Sequence, residues 1–286
     1  MDNKDKQKMA EWSITARTQW WGRDWKEIWN YQNLLFGLVQ REFLLYYKQT
    51  LLGPIWMLLQ PILTLLIYLA VFGKLVGIST GTIPPILFYL SGIILWNFFS
   101  EGFSGTSKIF QDNIQLFSKV YFPRIILPLS VLFVQGLRFL IQFTFLIILI
   151  GGYVLFNDLS INFNAGTFSI PVIILFTGVM GLAFGICCSL LTAKYRDLGN
   201  IIPTGIRLLM FLTPVIYPVS GTPENLRWLV FWNPLTPLFE AFKFALLGEG
   251  TFTMVQLSYS MICAFVFLLI GFASFNKHGD NLIDVV

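Results

Sequence analysis

The chain has 286 residues, 56% of them hydrophobic and 12% charged, with a mean hydropathy of +0.70. A soluble domain carries roughly 25% charge, so this composition excludes an ordinary soluble enzyme and identifies a polytopic membrane protein. The formal charge of +4 lies mostly at the amino end and in short links, which excludes a nucleic-acid partner, and the single histidine, His278, leaves no imidazole for catalysis within the membrane.

Residues 1–28 are polar and lack the apolar centre of a cleavable signal. They read as a cytoplasmic amino-terminal segment. Over 29–50 a helix would carry Leu35, Val39, Phe43 and Tyr46 on one face, with Asn30, Asn33, Gly37, Arg41 and Lys48 mostly on the other. This predicts an amphipathic helix in the membrane interface, its basic side toward phosphate headgroups. The alternative is a solvated helix ahead of a membrane anchor.

Spanning takes about 20 apolar residues, and six runs qualify: 51–72, 83–103, 125–156, 170–193, 201–219 and 255–275. In the first, Trp56, Gln60, Thr64 and Tyr68 fall four apart, a winding stripe of aromatic and hydrogen-bonding groups. Such a stripe suits weak contacts to a passing ligand as well as helix–helix packing. The second run ends near Glu101. The third is longer than one crossing needs, and Gln135, Arg138 and Gln142 share a face within it. Either Arg138 snorkels at the inner boundary, or it lies deep and pairs with Glu101. Cys187, Cys188 and Cys263 fall inside apolar runs and match no disulfide or metal spacing, so no metal is expected.

The links alternate in charge. Residues 77–82 carry none and 157–169 carry only Asp158, whereas 104–124 hold Lys108, Lys119 and Arg124, and 194–200 hold Lys194 and Arg196. The positive-inside rule places the second and fourth links and both termini, including the tail 276–286, in the cytoplasm. In the second link Ile114, Phe117 and Tyr121 form an apolar ridge flanked by Gln115 and Lys119, within a predicted helix 108–122. The fifth link reads as two short helices broken at Asn233-Pro234, apolar enough to re-enter the membrane as a hairpin over 223–247. Glu240 and Lys243 sit three apart there, and an exposed pair of this kind is worth about 0.2–0.5 kcal/mol. Burial of Trp228, Phe231, Trp232 and Phe242 is therefore expected to hold the hairpin. The fold class is an all-α integral membrane protein: six transmembrane helices over 51–275, with an amino-terminal interface helix, a cytoplasmic helix in the second link and a re-entrant outer hairpin.

No phosphate-binding loop is present: Gly73-Lys74 lacks the upstream glycine and the following hydroxyl. If the chain drives transport, the energy must come from a partner. A membrane transferase acting on lipid-linked sugar is a competing class, but Asp158, Glu224, Glu240 and Glu249 form no compact set. A non-catalytic anchor is a third.

Six segments occur in a fixed order: LVQREFLLYYKQTLLGPIWMLLQP (38–61), NIQLFSKVYFPRIILPLS (113–130), AKYRD (193–197), TPVIYP (213–218), NPLT (233–236) and LIDVV (282–286). This ordered set resembles the membrane subunit of polysaccharide-exporting ABC transporters, the O-antigen, capsule and teichoic-acid permeases. Lys243 departs from it, since arginine is the commoner residue there. The resemblance implies a homodimer joined to two separate ATPase subunits that bind ATP and magnesium, with no cofactor in this chain. It also implies a bacterial cytoplasmic (inner) membrane location and a lipid-linked polysaccharide as cargo, with membrane lipids around it. A drug or small-lipid exporter of similar fold is the runner-up.

Site expectations follow. Asn113, Ile114, Gln115, Phe117, Lys119, Tyr121, Arg196 and Asp197 would couple to the ATPase. Trp56, Gln60, Thr64 and Tyr68, with Phe211 and Tyr217 beside a helix break at Thr213-Pro214, would line a channel between two copies. Trp228, Phe231, Trp232, Asn233, Pro234, Glu240, Phe242 and Lys243 would form an outer gate. Glu101 and Arg138 are the intramembrane charges.

Overall fold

The structure is a computed structural model. It describes residues 29–45, 48, 50–113, 116, 122–156, 165–195 and 197–283, with backbone alone at 165 and over 276–283. Ten α-helices run through these residues. They are α1 (Gln32–Leu45), α2 (Trp56–Tyr68), α3 (Pro85–Ser107), the short α4 (Ile109–Asp112) and α5 (Ile126–Phe156). Then follow α6 (Ile170–Lys194), α7 (Leu198–Leu212), α8 (Glu224–Trp232), α9 (Thr236–Leu247) and α10 (Met254–Ile283). Five helical stretches are long and apolar enough to cross a membrane: Gly53–Leu75, which contains α2, then α3, α5, Gly166–Lys194 and Met254–Phe275.

Burial sorts these stretches. In α3, 72% of the most apolar window is buried within the protein, and 56% in the stretch containing α6; the other three reach only 17–22%. Helices α3 and α6 thus form the centre, and α2, α5 and α10 wrap it with apolar side chains outward. Glycines set the central spacing. A Cβ at Gly181 would lie 2.8 Å from the Phe99 carbonyl oxygen, and one at Gly185 2.5 Å from Thr106 Cβ. Small residues let two backbones approach where lipid removes the hydrophobic drive for helix association. The abundant phenylalanine goes into this core: Phe99, Phe139, Phe239 and Phe242 are fully buried, and the Phe98 and Phe139 rings stand 5.0 Å apart.

The amphipathic face of α1 meets protein. Leu38 and Val39 are buried, Leu38 in a cluster with Ile109, Phe110, Ile126, Leu127 and Phe275. Phe36 and Leu44 remain exposed on the other side, and Leu45 is exposed at the helix end. Tyr46, placed on the apolar face by the sequence, lies outside the described residues.

The third run is one continuous helix, α5, of 31 residues. Helix α10 runs past the apolar stretch Met254–Phe275 to Ile283. Helix α7 ends at Leu212, beside the expected break at Thr213-Pro214, and Thr213 is extended at φ −103°, ψ 139°. Pro214 disfavours the helical region for the residue before it. Fifteen residues rise about 22 Å, short of the roughly 30 Å of a bilayer core. The buried non-helical stretch 213–216 takes the chain onward from there.

Candidate functional site

A broken helix frees backbone carbonyls, and buried carbonyls need donors. The fold supplies them from α8–α9. Asn233 Nδ2 donates to the Leu212 carbonyl at 3.2 Å and to Thr213 Oγ1 at 2.9 Å, while its Oδ1 accepts from Leu235 N at 3.0 Å. Lys243 Nζ donates to the Pro214 carbonyl at 2.5 Å and lies 3.8 Å from the centre of the Phe88 ring. Tyr217 Oη donates to the Phe211 carbonyl at 3.0 Å. On the far side the break presses on α3: a Cβ at Gly92 would sit 2.7 Å from the Val215 carbonyl oxygen.

Glu240 completes the group. Its Oε2 accepts from Thr251 N at 2.9 Å and Thr251 Oγ1 at 3.1 Å, and its Oε1 is 3.9 Å from Lys243 Nζ. The two side chains are only 4% and 2% exposed. The estimate for an exposed pair therefore does not apply, and the pair belongs to the buried class. Asn233 tests the arrangement. Asn233→Asp should destabilise the protein by about 1–3 kcal/mol, because a carboxylate cannot donate to the Leu212 carbonyl yet still accepts from Leu235 N. Thermal unfolding of the detergent-solubilised protein should show it, with Asn233→Asp as damaging as Asn233→Ala.

The large rings of the hairpin divide. Phe242 is fully buried, whereas Trp228 is 60%, Phe231 40% and Trp232 74% exposed on the single chain. The reason is local: α8 has nine residues and touches the body mainly through Val230, and these three rings lie on its other sides. Within the chain the hairpin end is held by polar straps. Tyr259 Oη donates to the Trp232 carbonyl at 3.1 Å, and Glu249 Oε1 accepts from Thr82 N and Thr82 Oγ1. Pro234 sits in the turn joining α8 to α9, where Thr236 N donates to the Asn233 carbonyl at 3.1 Å.

The stripe on α2 divides. Thr64 Oγ1 bonds back to the Gln60 carbonyl at 3.0 Å, and Tyr68 donates to Met210 Sδ at 3.4 Å, edge-on to Phe72 and Tyr89. Phe211 on α7 is exposed. Trp56 and Gln60 line a chamber of about 90 Å³ with Asn97, Glu101, Gln135 and Arg138. Glu101, Gln135 and Arg138 also line a wider cleft of about 480 Å³ that reaches Arg41 and Glu42 of α1 and Lys108 and Asp112. Arg138 Nη1 donates to Gln135 Oε1 at 3.4 Å, and Arg41 pairs with Glu42 at 2.7 Å. Burial raises the Asp112 carboxyl above the usual carboxylate range; Lys108 pulls it back and Glu42 adds to the rise.

Gln142 has a role the sequence reading missed. Pro61 has no N–H for the Met57 carbonyl four residues back, and Gln142 Nε2 of α5 donates to that carbonyl at 3.0 Å. A proline inside a span was the available signal for a donor on a neighbouring helix.

At the end bearing the second and fourth links, Gln111 Nε2 donates to the Thr192 carbonyl at 2.8 Å, which ties the second link to the last turn of α6. Asn113 Nδ2 donates to the Ile109 carbonyl at 3.1 Å, and the exposed Asp197 precedes α7. Ile114, Gln115, Phe117, Lys119, Tyr121 and Arg196 lie outside the described residues.

Comparison with known proteins gives one consistent result. The family model described as ABC-2 type transporter matches residues 33–247. An O-antigen export system permease protein of Klebsiella pneumoniae is 26% identical over 245 residues, covering 86% of this chain and 92% of that protein. The one from Myxococcus xanthus is 28% identical, covering 76% of this chain and 82% of its own length. A polysialic acid transport protein of Escherichia coli is 22% identical, covering 86% of this chain and 94% of its own.

Proposed function

Since the chain belongs to the ABC-2 type transporter family, we propose that it is the membrane subunit of a polysaccharide exporter. Two copies would join two separate ATPase subunits and carry a lipid-linked glycan of the O-antigen, capsule or teichoic-acid kind across a bacterial inner membrane. The observation that carries this reading is co-linear similarity, over 86% of the chain, to a permease named for O-antigen export. ATP and magnesium belong to the partner, and both termini face the cytoplasm. The test is reconstitution with the ATPase in vesicles loaded with lipid-linked glycan. ATP-dependent appearance of glycan on the far side supports the reading, and ATP-driven transport of unglycosylated lipid alone refutes it.

Within this reading the second and fourth links receive the ATPase stroke. Asn113, Ile114, Gln115, Phe117, Lys119 and Tyr121, with Arg196 and Asp197, form the docking surface. Trp56, Gln60, Thr64, Tyr68, Phe211 and Tyr217 line the path between the two copies. The hairpin with Trp228, Phe231, Trp232, Asn233, Pro234, Glu240, Phe242 and Lys243 closes its outer end. Exposed rings on α8 support this, since a second copy or lipid can still cover them. Phe117→Asp with Tyr121→Asp should leave the complex able to hydrolyse ATP while export falls at least tenfold. The paired readout is phosphate release against glycan transport, and parallel retention of both activities would remove these residues from the coupling surface.

A further inference from the structure

The chamber and cleft between α1, α2, α3 and α5 form one polar recess inside a single protomer, joined by the shared lining of Glu101, Gln135 and Arg138. We propose that this recess is a binding site for one sugar ring of the cargo, occupied before the glycan reaches the path between the two copies. The proposal rests on the polysaccharide reading above.

Side-chain chemistry is the first argument. The carboxamides of Gln60 and Asn97 meet no protein hydrogen-bond partner among the described residues; only their backbone carbonyls are engaged. A carboxamide offers two donors and an acceptor, and with Gln60 exposed and Asn97 half-buried at this lining both are open to a ligand. Vicinal hydroxyls satisfy that pattern. Trp56 is 43% exposed at the same chamber and presents a flat ring whose electron-rich face suits the polarised C–H groups of a pyranose.

Charge is the second argument. Arg41, Lys108 and Arg138 around the recess are matched by Glu42, Glu101 and Asp112. The formal charges cancel, whereas a phosphate site would need excess cation. A neutral ring with many hydroxyls fits a balanced lining. Size is the third. At about 480 Å³ the cleft lies within the usual range of ligand sites, and the 90 Å³ chamber behind it has room for several hydroxyl-sized groups.

The experiment places p-benzoylphenylalanine at Asn97 in the full transporter, in membranes that make the glycan. Leu66, which is 56% exposed on the outer side of α2, serves as the control. After irradiation the purified subunit is oxidised with periodate and stained for sugar. Occupancy predicts an adduct at Asn97 at least tenfold stronger than at Leu66, and lost when glycan synthesis is blocked. Ongoing export by the parent transporter with no sugar adduct at Asn97, or with an equal one at Leu66, overturns the site and leaves the exporter reading intact. A parent transporter that moves no glycan refutes the exporter reading, and this inference with it.

Discussion

Lys243→Met is expected to lower stability by about 3–5 kcal/mol, the cost of removing one partner of a buried charge pair. Two groups lose their partner at once. The Pro214 carbonyl, freed by the helix break, loses its donor at 2.5 Å, and the Glu240 carboxylate keeps its charge in a site only 4% exposed. The side chain also leaves the Phe88 ring. A double variant, Glu240→Gln with Lys243→Met, should recover part of the loss, because an amide can still accept from Thr251 through its oxygen and carries no charge to strand. Lys243→Arg is the informative intermediate: the charge remains, but a planar guanidinium must fit where a single ammonium now sits. Unfolding midpoints of the three purified variants give the order directly. If Lys243→Met alone matched the parent protein, the break would be held by something other than this lysine.

Gly185→Val is expected to cost more than about 3 kcal/mol, at or beyond the upper end for overpacking a core. The obstruction is backbone as well as side chain: a Cβ at Gly185 lies 2.9 Å from the Phe103 carbonyl oxygen and 2.5 Å from Thr106 Cβ. No rotamer relieves a contact made by Cβ itself. Helices α3 and α6 would have to separate, and they form the most buried part of the bundle. Gly136→Ala on α5 is the matched control, because a Cβ there has nothing within 4 Å. It should be neutral or stabilise by about 0.4–1 kcal/mol through the unfolded chain. Yield of monodisperse protein and its unfolding temperature distinguish the two glycines.

Loss of the recess amides leads to a subtler expectation than either of these. Gln142→Leu would strand the Met57 carbonyl beside Pro61, at about 1–3 kcal/mol. Its effect on export should track stability, whereas Asn97→Leu should affect export alone, since Asn97 has no protein hydrogen bond to lose through its side chain among the described residues.

Several features were legible in the residue order because they follow from local rules. Apolar runs long enough to span, the charge alternation of the links and the proline that ends α7 at Leu212 each depend on a few consecutive residues. The grouping of Gln135, Arg138 and Gln142 on one face was legible too, since helix periodicity alone determines it. Family membership came from ordered motifs, which also require no contact across the fold.

What only the tertiary structure decided is which of those groups meet. Lys243 and Glu240 read as an exposed pair because three-residue spacing says nothing about what packs above it; in the fold they are buried against the carbonyl of Pro214, 29 residues away. Asn233, read as part of a gate, also holds the end of α7. Trp228 and Trp232 stay exposed on the single chain because α8 is too short to turn more than one side inward. The evenly spaced stripe from Trp56 to Tyr68 divides because α3, α5 and α7 touch different parts of it. Sequence determined where the helices begin, break and carry charge. Burial and pairing were decided by distant elements, because a desolvated polar group takes whichever donor or acceptor the packing brings within about 3 Å.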